Sequence, residues 1–228
     1  MSTLTICGDV HGKIDQYIDK VKNSDYSIQL GDMGFNYDSL RRLDSTRHKF
    51  FGGNHDNYDI ISNFSHNLGD FGEYNLGRDV YFVRGAFSID IKYRQAFYLA
   101  NGRKIWWEQE QLRYGDFIRA ACDYQKKQTK IMITHTCPSI VAKKIGNLEV
   151  LRNFGYSATN FTTVTQEGLQ LIYETYAPKI WFFGHFHKDW YYRDNETGTH
   201  FICLGELSTA NIDLYNGSFV FLNKEFLI

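Results

Sequence analysis

The stretch LTICGDVHG, residues 4–12, joins a short apolar run to a polar loop. An apolar run of this length that ends in Gly-Asp is typical of a buried strand feeding a loop. Apolar side chains then follow at Ile14, Tyr17, Ile18 and Val21, which is the i, i+3, i+4, i+7 spacing of an amphipathic helix. The beginning of the chain therefore predicts one strand–loop–helix unit.

The same order of elements recurs twice along the chain. An apolar run over 26–30 again ends in Gly-Asp, at residues 31–32, and a helix is predicted over 37–47. A third run over 49–52 leads into Gly-Asn-His-Asp at 53–56. Repeated strand, loop and helix predict βαβ units with a largely parallel sheet, which places the chain in the α/β class.

Further elements are predicted along the rest of the chain. The pattern T-x-x-Q at residues 163–166 fits a capping box, which marks the start of a helix. The predicted helices cover residues 107–125 and 163–176, and the predicted strands cover residues 80–84, 87–91, 130–134, 179–183, 190–193, 200–204 and 219–222.

Composition limits the class of protein. The 228 residues suit a single domain over 1–228, and 25 basic against 26 acidic residues give no general attraction to nucleic acid. The chain has neither a signal-peptide pattern at its start nor an apolar run of about 18–20 residues that could cross a membrane. Its four cysteines are scattered, which favours reduced thiols. We therefore expect a cytoplasmic protein that does not bind membranes.

Metal-ligating residue types follow five of the predicted strands. Because parallel strands point the same way, side chains at their carboxyl ends converge on one crevice. The candidate ligands are Asp9, His11, Asp32, Asn54, His135, His185 and His187, with His55 beside Asn54. Any one of these residues is more often part of a turn or a satisfied core histidine, but their joint occurrence at strand ends favours a metal site.

The mixture of Asp, His and Asn ligands favours two divalent cations that share a bridging carboxylate. Imidazole suits Zn, Fe, Ni or Mn, and oxygen ligands admit Mn or Mg. A structural zinc site would more often use clustered cysteines. Two such ions can activate water and polarise a phosphoryl oxygen at once.

The ordered motifs GDVHG, GDMG, GGNHD, THTCP and GHFH, spanning residues 8–187, resemble the calcineurin-like metallophosphoesterase family. The segment RGAFSID at 84–90, followed by Trp106, Trp107 and Glu110, is similar to a bacterial and phage branch of that family. The resemblance implies a two-sheet αββα sandwich flanked by helices.

The resemblance also implies a role for each motif residue. One metal would be held by Asp9, His11, Asp32 and His187, and the other by Asp32, Asn54, His135 and His185, with Asp32 bridging. His55 would act as general acid or help to bind phosphate, with Asp56 as a candidate partner for its ring. We expect Mn²⁺ as the favoured ion, with Fe, Ni, Zn or Mg as alternatives.

The second motif departs from the GDxxDRG pattern of the Ser/Thr protein phosphatases. Phe35 stands where that pattern has an acidic residue, and the phosphate-clamping arginine is missing. This argues against a phosphoprotein substrate. Asn54 with Arg84 or Arg94 could bind phosphate instead, because guanidinium matches phosphate geometry, although either arginine could be an ordinary surface residue. Residues 136–165, which include an aromatic and basic run, are a candidate roof over the substrate site or a packed loop.

These residues together predict a dinuclear metal-dependent phosphoesterase. It would hydrolyse phosphate mono- or diesters by attack of a metal-bridging hydroxide, and its partner would be a phosphorylated small molecule or nucleotide rather than nucleic acid. Two alternatives stay open. One is a phosphoprotein phosphatase, and the other is a non-catalytic binding module that keeps the fold.

Overall fold

The computed structural model describes residues 2–146, 148–157 and 161–221, and the backbone of residues 224–227. The helices are α1 (Ile14–Val21), α2 (Ile91–Asn101), α3 (Tyr114–Lys127), α4 (Ser139–Ile145), α5 (Leu148–Asn153) and α6 (Val164–Thr175). The strands are β1 (Thr3–Cys7), β2 (Tyr26–Gln29), β3 (His48–Phe50), β4 (Phe71–Asn75), β5 (Asp79–Val83), β6 (Ile131–Thr134), β7 (Ile180–Phe183), β8 (Trp190–Arg193), β9 (His200–Cys203), β10 (Thr209–Asp213), β11 (Ser218–Phe221) and β12 (Lys224–Leu227).

The strands form two mixed sheets. The first has the order β12-β11-β10-β1-β2-β3, and the second has the order β4-β5-β6-β7-β9-β8. Strands β1, β2 and β3 are parallel, as are β5, β6, β7 and β9. The other pairs are antiparallel. The prediction of parallel strands is thus correct for the strands that carry the motifs, while antiparallel strands extend both sheets.

The two sheets pack face to face on one apolar core. Successive side chains of a strand point to opposite faces, so alternate residues such as Leu4 and Ile6 enter this core from the first sheet. Ile133 and Phe182 enter it from the second sheet. The outer face of the second sheet, with Trp181, packs in a separate cluster with α3, α4 and α6. Helix α1 covers the first sheet in a third cluster, and the αββα sandwich is confirmed.

Two predicted elements differ because side chains interrupt them. The helix predicted over 37–47 is a 3-10 turn, Asp38–Arg42, and the Asp44 carboxylate accepts a hydrogen bond from the Thr46 amide just beyond it. Such a local side-chain bond competes with a continuing helix. The strand predicted over 87–91 is a loop, because the Ser88 amide donates to the Glu110 carboxylate rather than to a neighbouring strand.

The predicted helix over 107–125 is divided. A 3-10 turn, Glu108–Glu110, precedes α3, which begins only after Arg113. Arg113 has extended backbone angles, and its amide donates to the Asp116 side chain, which ends the first segment and caps the second. The capping box predicted for α6 is confirmed at its hydroxyl, since Thr163 accepts a hydrogen bond from the Gln166 amide. Helices α2, α4 and α5 and strands β4, β10 and β12 are not among the predicted elements.

The described helices leave no candidate for a membrane span, since none combines sufficient length with sufficient apolar character. All four cysteines are free thiols, which agrees with the expectation of reduced cysteines.

Packing between α3 and α6 gives a stability prediction. A Cβ atom added at Gly168 would overlap the buried ring of Phe117, whereas one added at exposed Gly115 would meet nothing within 4 Å. We expect Gly168→Ala to destabilise the fold by about 1–3 kcal/mol, because overpacking outweighs the gain in helix propensity. Gly115→Ala, the matched control, should be stabilising by up to about 1 kcal/mol. Urea unfolding of both variants checks this, and a stabilising Gly168→Ala would contradict the close packing.

Candidate metal centre and active site

The motif loops leave the carboxyl ends of five strands at one end of the sandwich. Strands β1, β2 and β3 of the first sheet lead to Asp9, Asp32 and Asn54, and strands β6 and β7 of the second sheet lead to His135 and His185. The loops of the two sheets meet here, since Oδ1 of Asn54 lies within 3.0 Å of a ring nitrogen of both His135 and His185. The structure therefore brings all the predicted ligands into two adjoining clusters.

The first cluster contains Asp9, His11, Asp32 and His187, whose ligand atoms all lie within 4.8 Å of one another. The Nε2 atoms of His11 and His187 are 3.0 Å apart, and Nε2 of His187 is 3.2 Å from Oδ2 of Asp9. Atoms that bind one first-row ion at about 2.0–2.2 Å have separations of about 3 Å, so these four side chains could hold a cation.

Unpartnered buried oxygens support a cation at this cluster. Asp9 and Asp32 are fully buried, and Oδ2 of each has no hydrogen-bond partner among the described residues. A buried carboxylate oxygen without a donor is strongly unfavourable unless a positive charge compensates it. The neighbouring imidazoles outweigh the effect of burial and hold the pKa of both carboxyl groups below its usual range. The donor set thus fits a divalent metal.

The second cluster contains Asp32, Asn54, His135 and His185. Nε2 of His135 lies 3.2 Å from Oδ1 of Asp32 and 3.0 Å from Oδ1 of Asn54, and Nδ1 of His185 lies 2.9 Å from the same Asn54 oxygen. Asp32 therefore faces this cluster with Oδ1 and the first cluster with Oδ2. That is the placement expected of a bridging ligand.

The tautomer of His135 also points to a cation. Nδ1 of His135 donates to the carbonyl oxygen of Leu30 at 2.8 Å, which leaves Nε2 of the neutral ring with a lone pair. That lone pair faces acceptor oxygens of Asp32 and Asn54. Lone pairs repel one another, so a proton or a metal cation is needed between the ring nitrogen and these oxygens. Burial disfavours a charged ring, but the Asp32 carboxylate outweighs burial and raises the pKa of His135 to about 9. A bound metal would supply the same charge.

Backbone strain is concentrated at the ligands. Asp32 has φ of 59°, and His11, His185 and His187 have φ of 49°, 70° and 53°. Non-glycine residues adopt this left-handed region rarely, and such residues cluster at functional sites. Gly53 lets these loops approach closely, because a Cβ atom there would overlap Oδ1 of Asp32 and lie 2.8 Å from Cε1 of His135.

Asp56 has a different place from the one predicted. Its carboxylate accepts hydrogen bonds from the amides of Asp32 at 2.8 Å, Gly53 at 2.7 Å and Gly34 at 3.1 Å, and from the Tyr37 hydroxyl at 3.1 Å. The predicted contact with the ring of His55 is therefore wrong, since both oxygens are used in joining the loops after β2 and β3. Burial and the Asp32 carboxylate raise the pKa of Asp56 to about 6.

Arg94 occupies the place beside His55. One guanidinium nitrogen lies 2.8 Å from Nδ1 of His55 and also contacts Nε2. Arginine has no acceptor, so it donates to an unprotonated ring nitrogen, and burial together with this guanidinium lowers the pKa of His55 to about 4. Arg94 is itself buried, donating to Asp90 at 2.7 Å and to the carbonyl of Ile105 at 3.1 Å. Arg94 therefore lies beside the candidate active site, where the sequence analysis placed a phosphate-binding arginine as one alternative.

Arg84 does not support the predicted phosphate clamp. Its Nε donates to the Asp70 carboxylate at 2.5 Å, and its Nη1 donates to the carbonyl of Gln109 at 2.6 Å. The guanidinium also lies over the ring of Tyr58, 4.8 Å from the centroid. These contacts hold neighbouring loops together and use two of its three nitrogens.

Ser88 and Glu110 are functional candidates to which the sequence reasoning assigned no role. The Ser88 hydroxyl donates to Glu110 at 2.7 Å, so its oxygen accepts from Nδ2 of Asn54 at 3.1 Å. These two hydrogen bonds orient the Asn54 amide, with Nδ2 toward Ser88 and Oδ1 toward His135 and His185. Both residues are buried, and burial raises the pKa of Glu110 to about 7. The RGAFSID segment and the acidic residue after the tryptophan pair were the available signal.

A cavity of about 690 Å³ adjoins the two clusters. Asp32, Asn54, His55, His185 and His187 line its inner end. Its other walls come mainly from α4, α5 and the segment after them, which is the predicted roof apart from residues 147 and 158–160, which lie outside the described residues. A second cavity of about 430 Å³, lined by residues that include His11, Phe35 and Arg103, lies on the other side of His55.

A sequence profile of the calcineurin-like phosphoesterases matches residues 2–189. The chain therefore belongs to the calcineurin-like phosphoesterase family, as the motifs had indicated. A comparison with curated proteins finds no match.

Solved structures share the fold at low sequence identity. A dimetal phosphatase from Danio rerio is 15% identical with a TM-score of 0.51, and the match covers 96% of this chain and 94% of that chain. A candidate 5′-nucleotidase from Staphylococcus aureus is 14% identical with a TM-score of 0.53, and the match covers 93% of this chain and 51% of that chain. At these identities the likeness shows a common fold.

The Ser88 contact gives a prediction about metal affinity. We expect Ser88→Ala to weaken binding of Mn²⁺ by about 10- to 100-fold, because residues that orient ligands have effects of this size. Calorimetric titration of Mn²⁺ checks the loss.

Ser27→Ala is the matched control, because Ser27 is also buried and its hydroxyl contacts Tyr17 and His48 away from both clusters. Equal Mn²⁺ affinity for the Ser88→Ala variant and the wild type would contradict the orienting role.

Proposed function

We propose that this protein is a dinuclear metal-dependent phosphoesterase that hydrolyses phosphate mono- or diesters of a small molecule or nucleotide. The observation that carries the proposal is Asp32, whose two oxygens face the two ligand clusters. Mn²⁺ is the ion we favour, since the mixed oxygen and nitrogen donors suit it, although Fe, Ni, Zn and Mg are compatible with the same donors. The whole chain would work as one unit, with residues 136–165 covering the substrate.

The residues have distinct roles under this proposal. Asp9, His11, Asp32 and His187 would hold one ion, and Asp32, Asn54, His135 and His185 would hold the other. Two bound ions would lower the pKa of water and stabilise negative charge on the phosphoryl group. The chain contributes the positioning, because Asp56 ties the loops that carry Asp32 and Asn54, and the Ser88–Glu110 pair orients the Asn54 amide.

His55 would bind the phosphate rather than protonate the leaving group. Its contact with Arg94 requires one unprotonated ring nitrogen, so the ring at rest is neutral and has a single N–H to donate. A neutral imidazole is a poor general acid but a suitable hydrogen-bond donor to a phosphate oxygen. The contact with Arg94 therefore supports the second of the two roles considered for His55.

Metal restoration tests the proposed function. We expect metal-stripped protein to hydrolyse p-nitrophenyl phosphate or its bis-ester only after Mn²⁺ or another first-row ion is added. Asp32→Asn keeps the shape of the bridging side chain but removes its charge, and turnover should fall at least about 1000-fold, as expected for loss of the stabilisation that two ions provide.

Asp38→Ala is the control and should keep full activity, because this aspartate is exposed and its carboxylate lies 3.9 Å from Arg41, away from the candidate ligands. Protein that binds two ions but hydrolyses neither ester would favour the non-catalytic binding module. Turnover of phosphopeptides but of neither aryl ester would favour the phosphoprotein phosphatase.

The role of His55 gives a separate prediction. We expect His55→Ala to lower kcat/KM by about 10- to 1000-fold, because it removes a contact with the phosphate. The factor should be the same for aryl phosphates with good and with poor leaving groups. A series of substituted phenyl phosphates measures the dependence on leaving-group pKa.

His200→Ala is the control, since His200 pairs with Ile180 at the amino end of β7, opposite the motif loop. A loss confined to poor leaving groups would show that His55 is the proton donor after all.

A further inference from the structure

Beyond the metal ligands, the wall of the larger cavity is predominantly apolar. Leu148 and Val150 of α5 and Phe154, the residue after it, line this wall and are 49%, 39% and 44% exposed. Ile89 and Phe161 extend the same wall. Large apolar side chains that stay exposed beside a binding cavity indicate a ligand that covers them.

The aromatic part of this wall is held in place by its own packing. The ring of Phe161 lies 4.8 Å from that of Tyr156 and 6.1 Å from that of Phe87. Phe87 and Tyr156 contact each other as well, at 6.0 Å. Phe161, which lines the cavity, is therefore supported from behind by the rings of Phe87 and Tyr156.

Two of the charged side chains on the wall are already engaged within the protein. Asp90 accepts from Arg94 at 2.7 Å, and Lys188 donates to the carbonyl of Ile145 at 2.7 Å. A nucleobase or sugar needs polar groups that are ready to pair with it, because an unpaired polar group of the ligand loses its hydrogen bonds to water on binding. Outside the candidate ligands and His55, the other polar side chains of the wall are Lys143 and Gln166, and the rest of the wall is apolar. This lining favours a ligand part that needs few hydrogen bonds.

We propose that this cavity binds the hydrocarbon part of the substrate, so that the substrate is a phosphate ester of an apolar, alkyl-type alcohol. The inference rests on the proposed function, because it places the phosphate at the inner end, against Asn54, His55 and His185. The same cavity runs without interruption from those residues to α5. The alcohol part of the ester would lie along Leu148 and Phe154.

Binding of n-alkylphosphonates to Mn²⁺-loaded protein tests the inference independently of turnover, since the phosphonate C–P bond is not an ester. We expect affinity to rise by about two- to fourfold per methylene from methyl- to hexylphosphonate, which is the effect of burying each CH₂ group. Calorimetry should show an increasingly negative heat-capacity change along the series. Affinity that is independent of chain length in the wild-type protein would overturn the proposal.

Substitutions in the apolar wall test whether the alkyl chain binds in this cavity. Leu148→Ser and Phe154→Ser should each flatten the dependence on chain length, because each removes apolar surface from the wall along which the alkyl chain would lie. Leu99→Ser is the matched control, since Leu99 is an 85% exposed helix leucine outside the described lining of the cavity. A dependence on chain length that survives both wall substitutions would overturn the assignment to this cavity.

The remaining outcomes separate the two proposals. Tighter binding of adenosine monophosphate than of hexylphosphonate, unaffected by Phe154→Ser, would overturn the apolar class in favour of a nucleotide. Hydrolysis of aryl phosphates with no effect of alkyl length would retain the proposed function and overturn this inference. Alkyl-length dependence of phosphonate binding without hydrolysis of any ester would support the apolar site and overturn the proposed function.

Discussion

The buried carboxylate of Asp32 is the group on which the rest of the site depends. It has no exposed surface, its Oδ1 accepts from the amide of His55, and its Oδ2 has no hydrogen-bond partner among the described residues. An ionised group in such a place is stable only where opposite charge surrounds it. The loops that follow five strands therefore place hydrogen-bond donors or candidate cation ligands around the Asp32 carboxylate.

Backbone geometry is the second constraint, and it follows from the first. Asp32, His11, His185 and His187 have left-handed backbone angles that non-glycine residues rarely adopt. Asp56 stabilises the backbone at Asp32, because its carboxylate accepts hydrogen bonds from the amides of Asp32, Gly34 and Gly53. A residue chosen from the sequence as a catalytic partner thus acts by positioning the loops that carry the ligands.

The candidate metal ligands and the walls of the larger cavity come from different parts of the fold. The candidate ligands lie in loops at the carboxyl ends of strands of both sheets, and buried hydrogen bonds such as that from Asn54 to Ser88 help to orient them. The larger cavity is walled instead by α4 and α5, two short helices outside the sheets. Under the two proposals above, substitutions in these helices would change which ester fits while the candidate metal ligands keep their places, which is a common division in folds that host many substrates.

The α/β class, the strands that end in candidate ligands and the ordered set of candidate metal-binding residues could all be predicted from the sequence, because each of these signals lies within a few neighbouring positions. The sequence placed α6 and its Thr163 cap correctly for the same reason. It did not predict α2, nor that Arg94 faces His55, nor that Glu110 reaches Ser88 across 22 residues. These contacts join distant segments, so they depend on how the two sheets and their loops pack, and no local sequence pattern contains that information.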